Sequence, residues 1–185
     1  VGKDVGQSDE NQAGAAGLVH TIGEAGREDD QTSGDGHKGV QHHDADRLAQ
    51  QGVLFAVECV YYHAMNTPEA VQMVLDTMAS PNLRVICDFA NYVGPEAASV
   101  DAQRRIWDKV GSWYGDKITA VHFKGQNFQP DGTLYSTSLE DSCVDYAGGF
   151  EMLRQMPQAS LPVLREEAVP TRAASDLAFM RRFAY

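Results

Sequence analysis

The sequence predicts an α/β fold built on parallel strands, and three observations carry that reading. Short β-rich runs recur along the chain: VLFAVE (Val53 to Glu58), LRVICD (Leu83 to Asp88), ITAVHFKG (Ile118 to Gly125) and PVLRE (Pro162 to Glu166). Helical stretches separate them, and parallel neighbours need such crossovers because a tight turn cannot join them. Each run also delivers an ionisable side chain at or near its end. In parallel sheets ligands gather at the carboxyl ends of the strands, so Glu58, Asp88, His122 and Glu166 are expected to meet on one rim. Three carboxylates and an imidazole make an O3N donor set suited to one divalent ion, Mn²⁺, Mg²⁺, Co²⁺ or Zn²⁺.

From the N-terminus, residues 1–46 lack any aromatic side chain and are dense in glycine and acidic residues, as in GREDDQTSGDGHKG. Such a segment cannot bury enough apolar surface to offset its ordering entropy, so an irregular or disordered stretch is expected, with Ala13 to Ile22 as its one candidate for local structure. Its histidines, His20, His37, His42 and His43, read as solvated. Ala45 to Gln51 reads as the end of a helix stopped by Gly52. Residues 47–185 form the expected folded unit.

Asn66-Thr67-Pro68 starts a helix, with a polar cap and proline at the first helical position. Val71, Val74, Leu75 and Met78 give it an apolar face, and Pro81-Asn82 ends it. After Asp88 a loop, ANYVGPEAA, leads to a helix from Val100 to Tyr114, whose Ile106, Trp107, Val110 and Trp113 repeat with helical period. The two tryptophans read as core or interface anchors. Gly125 to Asp141 is a long excursion with a turn at Pro130-Asp131-Gly132, and a loop of that length at this end of a strand suggests a lid or substrate-contacting flap. Val144 to Met156 is helical by pattern, although Gly148-Gly149 weakens it. Thr171 to Phe183 is expected as a final helix packing Leu177, Met180 and Phe183.

Composition narrows the function. Apolar residues make up 43% of the 185 and allow one sizeable core. A net charge of −11 argues against binding a phosphate backbone. No apolar run approaches the roughly 20 residues that span a bilayer. Cys59, Cys87 and Cys143 are odd in number and widely spaced, which fits a reducing, cytoplasmic setting better than a disulfide framework. Strand alternation turns Cys59 and Cys87 away from the neighbouring acidic side chains, towards a core.

AVE ending at Glu58, NTPEAV, PNLRVICDFAN around Asp88, AVHFKG around His122, VDYAGGFEML, and LPVLREEA around Glu166 together resemble the xylose isomerase-like TIM barrels. That superfamily includes sugar and sugar-phosphate isomerases and epimerases, inosose dehydratase and the type IV apurinic endonucleases. The resemblance covers Ala45 to Tyr185 and implies a partial (β/α)8 barrel, with strands like the fifth to eighth. It implies that Glu58, Asp88, His122 and Glu166 bind one divalent metal. Glu167 competes with Glu166, since a one-residue shift reverses which glutamate faces inward; the family's spacing after the proline favours Glu166. The chain departs from the family at Asn91, where many members have histidine, and at Lys124-Gly125, where an acidic residue is frequent. A full barrel needs about 250 residues, so the expected half would be completed by a separate half or by a second copy of the chain.

The activity implied is isomerisation or epimerisation of a sugar or sugar phosphate through an enediolate, with Glu58 and Glu166 moving the proton next to the carbonyl. Lys124, Asn91 and His63 are candidate substrate contacts. Lys124 equally reads as a rim charge and His63 as a surface histidine. A lyase of the inosose dehydratase type would use the same ligands on a cyclic polyol ketone. An inactive, partner-binding half-barrel is the third reading.

Overall fold

The computed structural model describes residues 50–158, 160–167 and 169–183. Residues 1–46 and the histidines within them, together with most of the expected helix end before Gly52, lie outside these. Gly52 itself has a φ of 70°, the left-handed conformation in which glycine ends a helix without a Cβ penalty.

Four strands form one parallel sheet: β1 (Phe55–Glu58), β2 (Leu83–Asp88), β3 (Ile118–Phe123) and, last in the chain, Val163–Arg165, in that spatial order. Between them run α1 (Pro68–Met78), α2 (Val100–Tyr114) and α3 (Tyr146–Leu153). Between β3 and α3 a hairpin of β4 (Gln126–Phe128) and β5 (Leu134–Ser136) is inserted, which makes the final parallel strand β6. Helix α4 (Ala173–Met180) follows.

The three crossover helices α1, α2 and α3 start where the sequence offers a cap. The Thr67 hydroxyl accepts from the Ala70 amide with Pro68 next in line, Ser99 accepts from Ala102, and Asp145 accepts from Gly148. The last of these caps sets the start of the expected 144–156 helix at Tyr146, and the helix ends at Leu153.

Alternation divides the sheet into two faces. Leu83, Val85 and Cys87 of β2 and Val121 and Phe123 of β3 point into the main core, with Val71, Leu75, Trp107, Val110 and Phe150 from the helices. Cys59 and Cys87 are both fully buried there, as the alternation predicts. The other face carries Ala56, Ile86 and Ala120, a small buried apolar cluster below the rim that bears the ionisable groups. Phe89 is the centre of the helical side, its ring 5.0 Å from Trp107 and 5.4 Å from Phe150. Gly149 is required there: a Cβ at that position would lie 2.5 Å from the Phe89 ring. The glycine pair that weakens α3 as an isolated helix thus lets it pack closely on Phe89 and Trp107.

Two expectations are corrected and one is extended. Trp113 is 42% exposed; Lys109 sits 5.8 Å from its ring centre, and the core is filled by Trp107 instead. Leu177 is 48% exposed, because α4 turns Asp176 inward to pair with Arg165 and packs Phe179, Met180 and Phe183 against the core. The 125–141 excursion turns where expected, at Pro130-Asp131-Gly132, and its two arms pair as the β4–β5 hairpin. Its turn has Gly132 at φ 85° and a backbone bond from the Gln129 amide to the Thr133 carbonyl. No helix among the described residues is long and apolar enough to cross a membrane.

Candidate metal centre

The strand pairing shows how four sequence-distant side chains share one rim. Glu58 is level with Ile86, two residues before Asp88; Asp88 is level with His122; and His122 is level with Leu164, two residues before Glu166. Offsets of zero or two residues keep all four on one face, and the stagger follows the tilt that strands adopt in a barrel. Glu58, Asp88, His122 and Glu166 each offer one donor atom, and these atoms all lie within 4.8 Å of one another.

His122 presents its Nδ1 to the carboxylates, 2.9 Å from Glu166 Oε1 and 3.8 Å from Glu58 Oε1. Asp88 is fully buried; its Oδ1 accepts from the amides of Ala90 (2.9 Å) and Asn91 (3.3 Å). Its Oδ2 is buried without a hydrogen bond, with Lys124 Nζ 3.5 Å away. A buried carboxylate oxygen that accepts no hydrogen bond, with an ammonium beside it and turned towards other carboxylates and an imidazole, fits a cation. The residues therefore suit the divalent ion that the donor set implies.

Electrostatics separates the carboxylates. Burial, with Asp88 facing other acidic groups, pushes its carboxyl up to about 7, an effect that Lys124 moderates. Glu58 is also raised, first by burial and then by the Glu166 charge. Glu166 goes the other way, to about 2, chiefly through its bond with His122 and, further down, through Lys124. Burial alone would lower His122, but its contact with Glu166 and the surrounding carboxylates outweigh that and raise it.

The candidate substrate contacts divide. Asn91 is buried and joins the cluster, donating from Nδ2 to Glu58 Oε1 at 2.6 Å. Lys124 also joins it: Nζ lies 3.0 Å from Glu166 Oε2 and donates to Asn91 Oδ1 at 3.4 Å. His63 lies outside the four-donor group; it is exposed, with its ring edge-on to Tyr62 at 4.7 Å. Glu167 is outside it as well. Its side chain is 53% exposed and accepts from the Ser136 hydroxyl.

Sequence reasoning missed the residues that hold this rim. Arg165 Nε bonds Asp176 Oδ2 at 2.9 Å, while its Nη1 reaches the carbonyls of Phe123 and Glu166, so one guanidinium ties the ends of β3 and β6. Asp176 also accepts from the Leu139 amide. The Gln126 amide group donates to the Ala90 and Val93 carbonyls and fixes the loop after Asp88. Tyr146 Oη donates to the Lys124 carbonyl at 2.6 Å and accepts from its amide. A polar residue alternating with strand residues, or one acid in a helix, gives no local sign of such partners.

No family model matches the sequence, and a comparison with curated proteins found no significant match. Solved structures match in fold. A xylose isomerase-like TIM barrel protein from Mycobacterium smegmatis, in complex with magnesium, is 12% identical with a TM-score of 0.58, covering 83% of this chain and 52% of its own. The probable 3-DHS dehydratase AsbF from Bacillus anthracis is 14% identical (TM-score 0.54; 80% and 58% covered). D-allulose 3-epimerase from Methylomonas sp. is 18% identical (TM-score 0.52; 78% and 54% covered). The chain spans between 52% and 58% of the length of these three. With four parallel strands in sequential order and crossover helices on one face, it has the fold of one half of a TIM barrel, similar to that of the xylose isomerase-like protein.

Proposed function

We propose that this half-barrel supplies the metal centre of a divalent-metal-dependent isomerase or epimerase acting on a sugar or sugar phosphate. The observation that carries the reading is the convergence of Glu58, Asp88, His122 and Glu166, with their donor atoms within 4.8 Å, on the carboxyl-end rim of a parallel sheet. A divalent ion bound there would supply Lewis-acid stabilisation of negative charge developing on a substrate's carbonyl and hydroxyl oxygens.

The chain's own residues then have separate tasks. Glu58, whose carboxyl pKa is raised above its ordinary value by burial, which makes the carboxylate a stronger base, is suited to taking a proton from the carbon next to the carbonyl and returning it. Glu166, held ionised, is suited to the ligand role and, from the other side of the cluster, to the second proton transfer. Asn91 holds the Glu58 carboxylate in place. Lys124 is the group to meet a substrate hydroxyl, phosphate or carboxylate.

A lyase acting on a cyclic polyol ketone is the second reading, since the same fold occurs in a probable dehydratase as well as an epimerase. The test begins with the divalent-metal content of the purified chain beside His122→Ala, measured after gentle desalting. Near-stoichiometric metal in wild type and its loss in the variant is expected. Exchange of the proton next to the carbonyl in a panel of ketoses, with or without loss of water, then separates epimerase from lyase. Metal absent from wild type even when supplied would overturn the reading, and would favour a half-barrel that binds a partner.

A further inference from the structure

The ammonium of Lys124 stands among the proposed ligands. Nζ is 3.0 Å from Glu166 Oε2, 3.5 Å from Asp88 Oδ2, 3.4 Å from Asn91 Oδ1 and 3.8 Å from Glu167 Oε1. Its side chain is only 14% exposed, and its backbone is held on both sides by the Tyr146 hydroxyl. Strand geometry accounts for the direction: Lys124 follows His122 by two residues and so turns to the same side of the sheet.

Two of the four proposed ligand residues thus already have a positive charge beside them. The oxygen of Asp88 that accepts no hydrogen bond is the one nearest that charge. A divalent ion that used Asp88 Oδ2 and Glu166 Oε2 would come within a few ångströms of Nζ, where like charges repel strongly in a half-buried site. Either the lysine swings out on its flexible stem, or the ion is held weakly.

We propose that Lys124 is a resident cation that competes with the divalent ion for Asp88 and Glu166, so that this one side chain sets the metal affinity of the centre. The inference rests on the four-ligand reading given above. It assigns Lys124 a role towards the metal in addition to any towards substrate. The charge satisfies the carboxylates while no metal is bound, and its departure accompanies metal entry. An anionic substrate group would draw the freed ammonium to itself, which couples substrate and metal binding in the favourable direction.

The test is the titration of Mn²⁺ into the chelator-stripped full chain, followed by calorimetry, for wild type, Lys124→Met and Lys124→Arg. Lys124→Met removes the charge at similar length and is expected to lower the Kd about tenfold or more; Lys124→Arg keeps the charge and is expected to stay within about threefold of wild type. Binding seen in Lys124→Met but too weak to measure in wild type also supports the proposal. An unchanged or higher Kd in Lys124→Met overturns it, as does equal tightening in Lys124→Arg. If no variant takes up Mn²⁺, the four-ligand reading itself fails and takes this inference with it, a result distinct from binding that ignores Lys124. Lys124→Gln carries the same comparison should the methionine variant fail to fold, with circular dichroism as the check.

Discussion

Asp88→Asn in the metal-free protein tests the electrostatics of the centre directly. The asparagine keeps an Oδ1 acceptor for the amides of Ala90 and Asn91 and removes the buried charge. In the folded chain the Asp88 carboxyl is raised from its ordinary 3.8 to about 7, with burial the main cause. Its folded value lies above its unfolded value, so the protonated form favours the fold. That contribution is complete below about pH 4 and is lost as the pH rises to about 7. At about 1.4 kcal/mol per pH unit, the full interval corresponds to roughly 4 kcal/mol, of which roughly 2–3 kcal/mol falls between pH 5 and pH 8. Urea unfolding of both proteins in chelator, at pH 5 and pH 8, reads this contribution together with that of the groups coupled to Asp88, while titrating groups away from the cluster cancel in the comparison. The variant should gain roughly 2–3 kcal/mol on wild type over that pH interval. A stability difference that is the same at both pH values would refute the argument that Asp88 is a buried, desolvated carboxylate.

Two further predictions concern the residues around the centre. Arg165→Met leaves Asp176, which is 3% exposed, without its cation, and should cost about 3–5 kcal/mol in urea unfolding, with Arg165→Met/Asp176→Leu costing clearly less than the sum of the single changes; strictly additive costs would show that the pair is not coupled. Gly149→Ala forces a methyl group to 2.5 Å from the Phe89 ring and should cost about 1–3 kcal/mol with a matching fall in Tm, whereas an unchanged Tm would show that α3 is free to move off the sheet.

Much of this fold is legible in the sequence because its signals are local. Leu83 to Asp88 and the helix from about Val100 to Tyr114 are legible in this way, the first from a compact β-rich run ending on a charge, the second from its helical period. The hairpin is not legible. Its strands, QNF and LYS, are three residues each and too short to show alternation, and their order comes from pairing across a turn rather than from any apolar pattern. Leu177 and Trp113 mislead for a related reason. Helical periodicity names a stripe, but the partner surface decides which part of it is buried, and for α4 the decision is made by Arg165 reaching Asp176. The rim could be anticipated because its four charges come at strand ends; the clamps behind it could not, since each joins residues at least 11 positions apart.

The choice between Glu166 and Glu167 shows the same division between local pattern and tertiary constraint. By alternation alone, either glutamate could face the rim, because β6 is only three residues long and a slip of one position exchanges them. Two features resist the slip. The Glu166 amide donates to the Phe123 carbonyl at 3.0 Å, which extends the β3–β6 ladder one residue beyond the strand and keeps Glu166 in strand-like alternation with Leu164. Glu167 then takes a φ of 51°, a conformation that a non-glycine residue adopts only at some cost and that turns the chain off the sheet. The guanidinium of Arg165, bound to Asp176, holds the carbonyls on either side of this junction. The registry of the fourth proposed ligand is therefore supported by an ion pair that includes no ligand, so loosening that pair should disturb the centre without altering any donor in it.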